Sequence, residues 1–324
     1  MNRYNTLIVI MIFLGLASGC STTHTRDEIL RQAELIKEEY RRAEGMQEPE
    51  VSEAAPEGVF TALPQTEAEP VTTTHPETSS AQEVPVSVPQ SPALRPVRPE
   101  KLVFTARYLG MTVAELTTEV KERKMYKGVP VIVFEAAGRT IPPFSKVFKV
   151  EDVFISYMDE RRKRVVYREE YRSEGKYRKH SFVEFNYEKH IAYFYNDVDK
   201  TRKEIPIPDQ VHDPVTANYY VRTLAWQLGD TIDLQVYASE TIYDLICLVS
   251  EVTEQGTPNH GKRKALVVQP YAYVNGEDAK KGRAKGYFDM GRAHIPLKAV
   301  IKTPFFGSAQ LILERIEHQT FSAE

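Results

Sequence analysis

The chain has 324 residues, 42 Lys and Arg against 45 Asp and Glu, and a formal net charge of −3 at pH 7. That balance gives no global electrostatic reason to expect a nucleic-acid partner. Its 2 cysteines cannot build a disulfide scaffold, and the length allows one domain with a sizeable core plus extra segments.

The chain opens with a small polar, positive start, Asn2 and Arg3, and Leu7 to Leu16 is almost unbroken hydrophobe. Ala17-Ser18-Gly19 then places small residues just ahead of Cys20. The run is too short for an ordinary membrane helix and ends at a small-residue cleavage site, the layout of an export signal. It resembles the lipobox of bacterial lipoproteins, with Ala17 where Leu is usual three residues before the cysteine. The resemblance implies that residues 1–19 are removed and that Cys20 becomes a lipidated N-terminus anchored in a membrane. Ser21 follows, without the aspartate that holds many lipoproteins at the inner membrane, so the resemblance leans towards the periplasmic face of the outer membrane. A diacyl-type anchor holds far better than a single chain. Cys247 would then be the only thiol, and in Ile246-Cys247-Leu248-Val249 it reads as a small buried hydrophobe, not a nucleophile.

Thr25-x-x-Glu28 is a capping-box pattern, followed at helical spacing by Ile29, Ala33, Ile36 and Tyr40. This predicts a short amphipathic helix, marginal alone, that lies on the membrane or a partner or frays into its linker. Over residues 44–100 Pro, Glu, Thr, Ser and Ala dominate, with no Lys or Arg between Arg42 and Arg95. Such a segment cannot bury enough apolar surface to offset ordering entropy. It reads as a disordered acidic tether that holds the following domain away from the bilayer.

Residues 101–317 read mostly as strand, with a short tail over 318–324. Val165, Tyr167 and Tyr171 share one face, with Arg168, Glu170 and Arg172 on the other. Gly175 turns the chain into Tyr177–Tyr187, and Ile191, Tyr193 and Tyr195 continue the alternation. Ile232, Leu234 and Val236 alternate with Asp233 and Gln235. A hairpin joins Tyr243–Val252 to Ala265–Tyr273, and Gly286–Met290, Ile295–Thr303 and Ser308–Ile316 follow. Successive strands with short turns predict an all-β, mainly antiparallel fold. Thr112–Val120 fits helix or strand. Asp213 as N-cap, Pro214 at the first helical position and Gly229 beyond the end bracket one substantial helix. Inside it Tyr219, Tyr220, Leu224 and Trp226 make more than one side apolar, so it packs on or in the concave face of a sheet.

Several of these residues carry a family resemblance. Tyr108-Leu109-Gly110-Met111, Pro143-Phe144-Ser145, Asp213 through Arg222, Ile295-Pro296-Leu297 and Phe306-Gly307 are similar to the bacterial domain of unknown function 3108. Tyr287-Phe288 stand where that family usually has a tryptophan. The resemblance implies an exported, strongly curved sheet, barrel or half-barrel similar to envelope half-barrels that handle lipoproteins. It implies no established reaction.

No phosphate loop, nucleophile elbow or paired metal-binding histidines occur, so neither metal nor cofactor is expected. His212-Asp213 is the nearest approach to an acid–base pair, but Asp213 reads as the helix cap. Asp152 with Asp159, or Asp197 with Asp199, could be called a glycosidase pair, although spacing alone does not place them across a sugar and turn or strand-end solvation explains them more cheaply. Arg161, Arg162, Lys163 and Arg164 form the densest basic stretch, a candidate patch for an anionic polymer or simply a solvated face. Tyr219, Tyr220, Arg222 and Trp226 are the candidate ligand-cavity lining, with Arg222 meeting an anionic head group or a buried carboxylate. The sequence therefore predicts a non-enzymatic, lipid-anchored envelope protein that binds an amphipathic or polymeric component or a protein partner. The alternatives are a scaffolding lipoprotein with a solid core and, behind it, a glycan hydrolase.

Overall fold

The structure, a computed structural model, describes residues 24–44, 95–279, 284–291, 293–302 and 307–317. The predicted signal peptide, Cys20, nearly all of the acidic segment and the C-terminal tail lie outside the described residues. The elements are α1 (Arg26–Ala43), β1 (Lys101–Tyr108), β2 (Met111–Tyr126), β3 (Val129–Thr140), α2 (Phe144–Val147), β4 (Val150–Asp159), β5 (Val165–Glu174), β6 (Tyr177–Asn186), β7 (Ile191–Asn196) and β8 (Arg202–Pro206). They continue with α3 (Pro214–Thr223), β9 (Thr231–Ala238), β10 (Thr241–Thr257), β11 (Gly261–Val274), β12 (Glu277–Asp278), β13 (Ala284–Asp289), β14 (Pro296–Lys302) and β15 (Ser308–Glu317). No helix among the described residues is long and apolar enough to cross a membrane.

The strands form one antiparallel sheet in the order β8-β7-β6-β5-β4-β3-β2-β1-β15-β14-β13-β11-β10-β9, with β12 paired to β11. The ambiguous Thr112–Val120 lies wholly in β2, paired to β1 and β3. Single-residue slips in register put an extra residue in β2 (twice), β5, β10, β14 and β15. Such bulges bend strands and raise twist, which lets a sheet this wide roll up. The roll brings the edge strand β9 across the inner face of β5–β7, where Tyr237 packs with Val165, Val183 and Phe194. In this meander the turns after β1, β3, β5, β7, β9 and β11 share one rim, the first rim. Those after β2, β4, β6 and β10 share the opposite, second rim.

One register slip overturns the face assignment made for β5. Met158 pairs with Val165 while Tyr157 pairs with Tyr167, so Val166 is the extra residue. Val165 therefore faces inward together with Arg168, Glu170, Arg172 and Glu174, all buried. Tyr167 and Tyr171 face outward. The charged side of this strand is the interior, not a solvated surface.

The two longer helices pack on opposite faces of the sheet. α3 begins as expected: Asp213 accepts from the Thr216 amide at 2.8 Å and Pro214 opens the first turn. It ends at Thr223, earlier than the sequence predicts. The Trp226 indole N–H donates to the Val221 carbonyl at 2.8 Å and the Arg95 amide to that of Thr223 at 2.8 Å, satisfying end carbonyls that further turns would otherwise use. Leu224 is thus the C-cap and Trp226 lies beyond the helix. Gly229 does not cap it either. Its φ of +83° and a Cβ position only 2.4 Å from the Lys37 side chain make it the point where α1 approaches the domain.

α1 is docked on the outer face of β10 and β11, neither free nor frayed. Ile29 and Ala33 are buried against Ile246, Leu248 and Tyr273. The capping box at Thr25 and Glu28 forms, the Tyr273 hydroxyl donates to the His24 carbonyl at 2.7 Å, and Arg26 pairs with Asp233 at 2.9 Å. Residues 95–100 are packed too, with Val97 in the core beside Val120, Ile132 and Phe134. The folded unit therefore extends beyond the predicted 101–317 to include 95–100 and α1.

Candidate functional site

The rolled sheet has two interiors of different chemistry. On the β9–β15 side the inward face is largely apolar, and α3 and Trp226 cover it. Trp226 is held between the His294 ring, stacked at 4.0 Å, and the edge of Phe288 at 5.7 Å. Small residues at the facing positions leave space uncovered: Ala217 on α3, Ala284 and Gly286 on β13, and Ala299 on β14. The result is a cavity of about 100 Å³ that widens to about 890 Å³ of atom-free space when its open mouth is included. Phe104, Leu234, Leu245 and Val268 complete its apolar wall. A side chain at Gly286 would collide with Phe288, its Cβ lying 2.8 Å from the ring, so the void and the aromatic wall depend on this glycine.

Few polar groups border this space. Asn218 lines it from α3, and Lys285 and Lys298 are its only charged borders among the described residues. The Lys298 ammonium sits 5.7 Å from the centre of the Tyr287 ring. Cys247 contributes its thiol to the wall, where burial pushes its pKa up to about 12. It is a hydrophobe here, as the sequence suggests, and a poor nucleophile. Such a wall is apolar apart from Asn218 and the two lysines at its border. It can hold an alkyl chain.

The interior of β4–β7 is instead filled with paired charge. Arg168 pairs with Glu170 at 3.0 Å, Lys179 with Glu170 at 3.5 Å, and Arg172 with Asp152 at 3.8 Å and with Glu174. Asp213 joins this cage by accepting from Ser156 and lying 3.7 Å from Arg168. Desolvation, opposed by the Ser173 amide and reinforced by the Glu174 charge, pushes the Asp152 carboxyl up to about 7. The neighbouring cations overcome desolvation at Glu170 and hold its carboxyl below the usual range. This half is solidly occupied by its own side chains.

The four predicted lining residues do not share one cavity. Trp226 lines the apolar space. Tyr220 stacks on His212 at 4.3 Å in a separate cleft. Tyr219 and Arg222 face the segment 95–100, where the two terminal guanidinium nitrogens of Arg222 donate to Glu100, at 2.5 and 2.9 Å. Arg222 also donates to the Ala293 carbonyl at 3.2 Å. Of the two partners foreseen for it, the buried carboxylate is the one present. The basic stretch disperses as well. Arg161 and Arg162 are exposed in the β4–β5 turn, Lys163 is half-buried with a positive φ of 53°, and Arg164 lies 3.6 Å over the Tyr187 ring.

The candidate acid pairs separate too. Asp152 and Asp159 sit at opposite ends of β4, about 23 Å apart at strand rise. Asp197 bonds Lys200, and Asp199 accepts from the Thr201 amide in the same exposed turn. His212 does not bond Asp213. Its Nδ1 has no partner in the described structure, and burial pulls its pKa down to about 3. No cluster of metal-ligating side chains occurs among the described residues.

Sequence reasoning missed the small residues that open the cavity, because Ala217, Ala284, Gly286 and Ala299 carry no periodic signal. It also missed an outer aromatic ribbon in which Tyr126, Tyr157, Tyr167, Phe182 and Tyr195 follow one another with ring centres 4.9–6.5 Å apart. Placing the β5 tyrosines on the outer face would have revealed it.

The chain is similar to several solved proteins, each of low sequence identity and with a TM-score below 0.5. A β-barrel-like protein of domain of unknown function DUF1849 from Brucella abortus is 11% identical over 70% of this chain and 100% of its own, with a TM-score of 0.48. A candidate exported protein with a YmcC-like fold from Bacteroides fragilis is 8% identical, covering 69% and 98%, with a TM-score of 0.29. A candidate lipoprotein from Parabacteroides distasonis is 11% identical, covering 70% and 100%, with a TM-score of 0.31. The chain matches no curated protein. Its family is given by a sequence profile that covers residues 103–314, about two thirds of its length: the chain belongs to DUF3108, a family of proteins of unknown function.

Proposed function

We propose that this protein is a lipid-anchored envelope lipoprotein whose β-rich domain binds, without catalysing a reaction, the apolar part of an amphipathic envelope component. The observation that carries this reading is the apolar cavity under α3 and Trp226, kept open by Ala217, Ala284, Gly286 and Ala299. An apolar void of this kind is favourable for an alkyl or acyl segment, which gains dispersion contacts that water cannot supply. The anchor is Cys20, read from the sequence before it, and the compartment is the periplasmic face of the outer membrane.

The scaffolding alternative draws support from the other half of the interior, where the Arg168–Glu170–Arg172 cage fills the space that a ligand would need. Native mass spectrometry of the full chain, released gently from membranes, separates the two. The binding reading expects a co-purifying adduct of lipid or acyl mass that apolar competitors displace. Ligand-free protein that also takes up no apolar probe would refute it and leave the scaffold.

A further inference from the structure

We infer that the first rim of the rolled sheet is a docking surface for a phospholipid bilayer, so that the domain stands on the membrane and is not suspended from it. Three features of the structure converge on this rim. The first is the direction of α1. Its N-terminal residues meet Tyr271, Tyr273 and Asp233, whereas Lys37, further along, meets Asp230 where β9 begins. β11 runs towards the first rim and β9 starts at the second, so α1 points its N-terminus at the first rim. Cys20 lies four residues before His24, a span of at most about 14 Å. An anchor there leaves little slack between lipid and domain.

The second feature is the distribution of exposed apolar side chains. Leu109 and Met111 flank the β1–β2 turn, Val147 and Phe148 the β3–β4 connection, Tyr177 the β5–β6 turn, and Val198 the β7–β8 turn. These lie at four successive turns of the first rim, with Val147 89% exposed. Towards the second rim Met125, Val252 and Met290 are exposed, scattered over three separate connections. Lys146 and Lys176 stand beside the apolar tips, both exposed and without a carboxylate partner among the described residues. Apolar tips that enter the headgroup boundary with lysines at the phosphates are the chemistry of an interfacial contact.

The third feature is where the acidic segment leaves and returns. It follows the end of α1 that points to the second rim, and it rejoins through residues 95–100, which lead into β1 at the second rim. Residues 45–94 therefore connect two points of the folded unit and do not separate it from the anchor. A spacer of that length would have held the domain clear of the bilayer. The docked α1 removes it from the path.

The direction of docking rests on the Cys20 anchor proposed above, whereas the exposed tips do not. The test uses the full chain in vesicles of phosphatidylethanolamine and phosphatidylglycerol that carry headgroup-quenching lipid, with a fluorophore at Val147→Cys, Val198→Cys, Arg161→Cys or Lys189→Cys. Acyl mass at Cys20 is read on the same samples. Labels at 147 and 198 should lose about half their emission, as at an interfacial depth, while those at 161 and 189 keep theirs. Lipidated protein in which the first-rim labels are unquenched overturns the rim proposal and leaves the anchor standing. Quenched first-rim labels on protein that carries no acyl mass support the rim and overturn the anchor.

Discussion

Replacing His212 by Phe should steepen the pH dependence of stability between about pH 7.5 and about pH 5, so that the variant gains stability as pH falls. His212 is fully buried on the segment that leads into α3, stacked on Tyr220, with Gln210 as its nearest polar neighbour. Its folded pKa is pulled down to about 3 by burial, from an ordinary value of 6.5. Between those values the unfolded chain binds one more proton than the folded one, so stability is present above pH 6.5 and is lost as pH falls. At about pH 5 the loss is about 2 kcal/mol, from roughly 1.4 kcal/mol per pH unit over the 1.5 units below 6.5. Asp152 works against this. Its folded pKa, raised to about 7, means that the folded state holds an extra proton from about pH 4 to 7, so its contribution falls as pH rises. The wild-type slope is the difference of the two, and the variant exposes the Asp152 contribution alone. Phe adds bulk, with an overpacking cost of about 1–3 kcal/mol at every pH, so the slope is the readout. Urea titrations followed by the fluorescence of Trp226, the single tryptophan, supply it at both pH values. Equal pH dependence in variant and wild type would refute a buried neutral His212.

Other substitutions probe the packing around the site. Trp226→Ala should cost about 3–5 kcal/mol in urea unfolding, because the ring is nearly buried between His294 and Phe288. Native emission should be blue-shifted, and water-like emission in the folded protein would contradict the burial. Glu100→Gln should cost about 3–5 kcal/mol by stranding the Arg222 guanidinium. Adding Arg222→Met should recover part of that loss, and a double variant worse than the single would argue against a discrete pair. Ile29→Ala should cost α1 about 2–5 kcal/mol of docking. Amide exchange should then quicken in Arg26–Ala43 while β10 and β11 stay protected, and unchanged exchange would mean that α1 is held by something else.

The run of antiparallel strands and the helix start were legible because they rest on local chemistry: period-two alternation, turn glycines, and Asp213-Pro214 before an apolar run. What failed was non-local. The extra residue Val166 shifts β5 by one position and exchanges its inner and outer faces, and no composition signal marks it. The end of α3 depends on Arg95, far away in sequence, and on a tryptophan that folds back onto the last turn. Gly229 looked like a helix stop because glycine often is one, whereas its lack of a side chain lets Lys37 and α1 approach. The docking of α1 joins residues more than two hundred positions apart, beyond any windowed pattern. The cavity is a residue of packing, set by which small side chains happen to face each other across strands, and no single strand reveals it.

The claim on which this account turns is that the space beneath α3 accepts an apolar chain. The direct measurement is equilibrium binding of a fluorescent fatty-acyl probe to the full chain, compared between wild type and Ala217→Phe, which fills the space from the helix side. Wild type should bind saturably at one site per chain, and the filled variant, folded by its far-ultraviolet circular dichroism, should lose binding by about tenfold or more, the equivalent of 1.4 kcal/mol or more. Undiminished binding by the folded variant, or no saturable binding by wild type, would contradict the account.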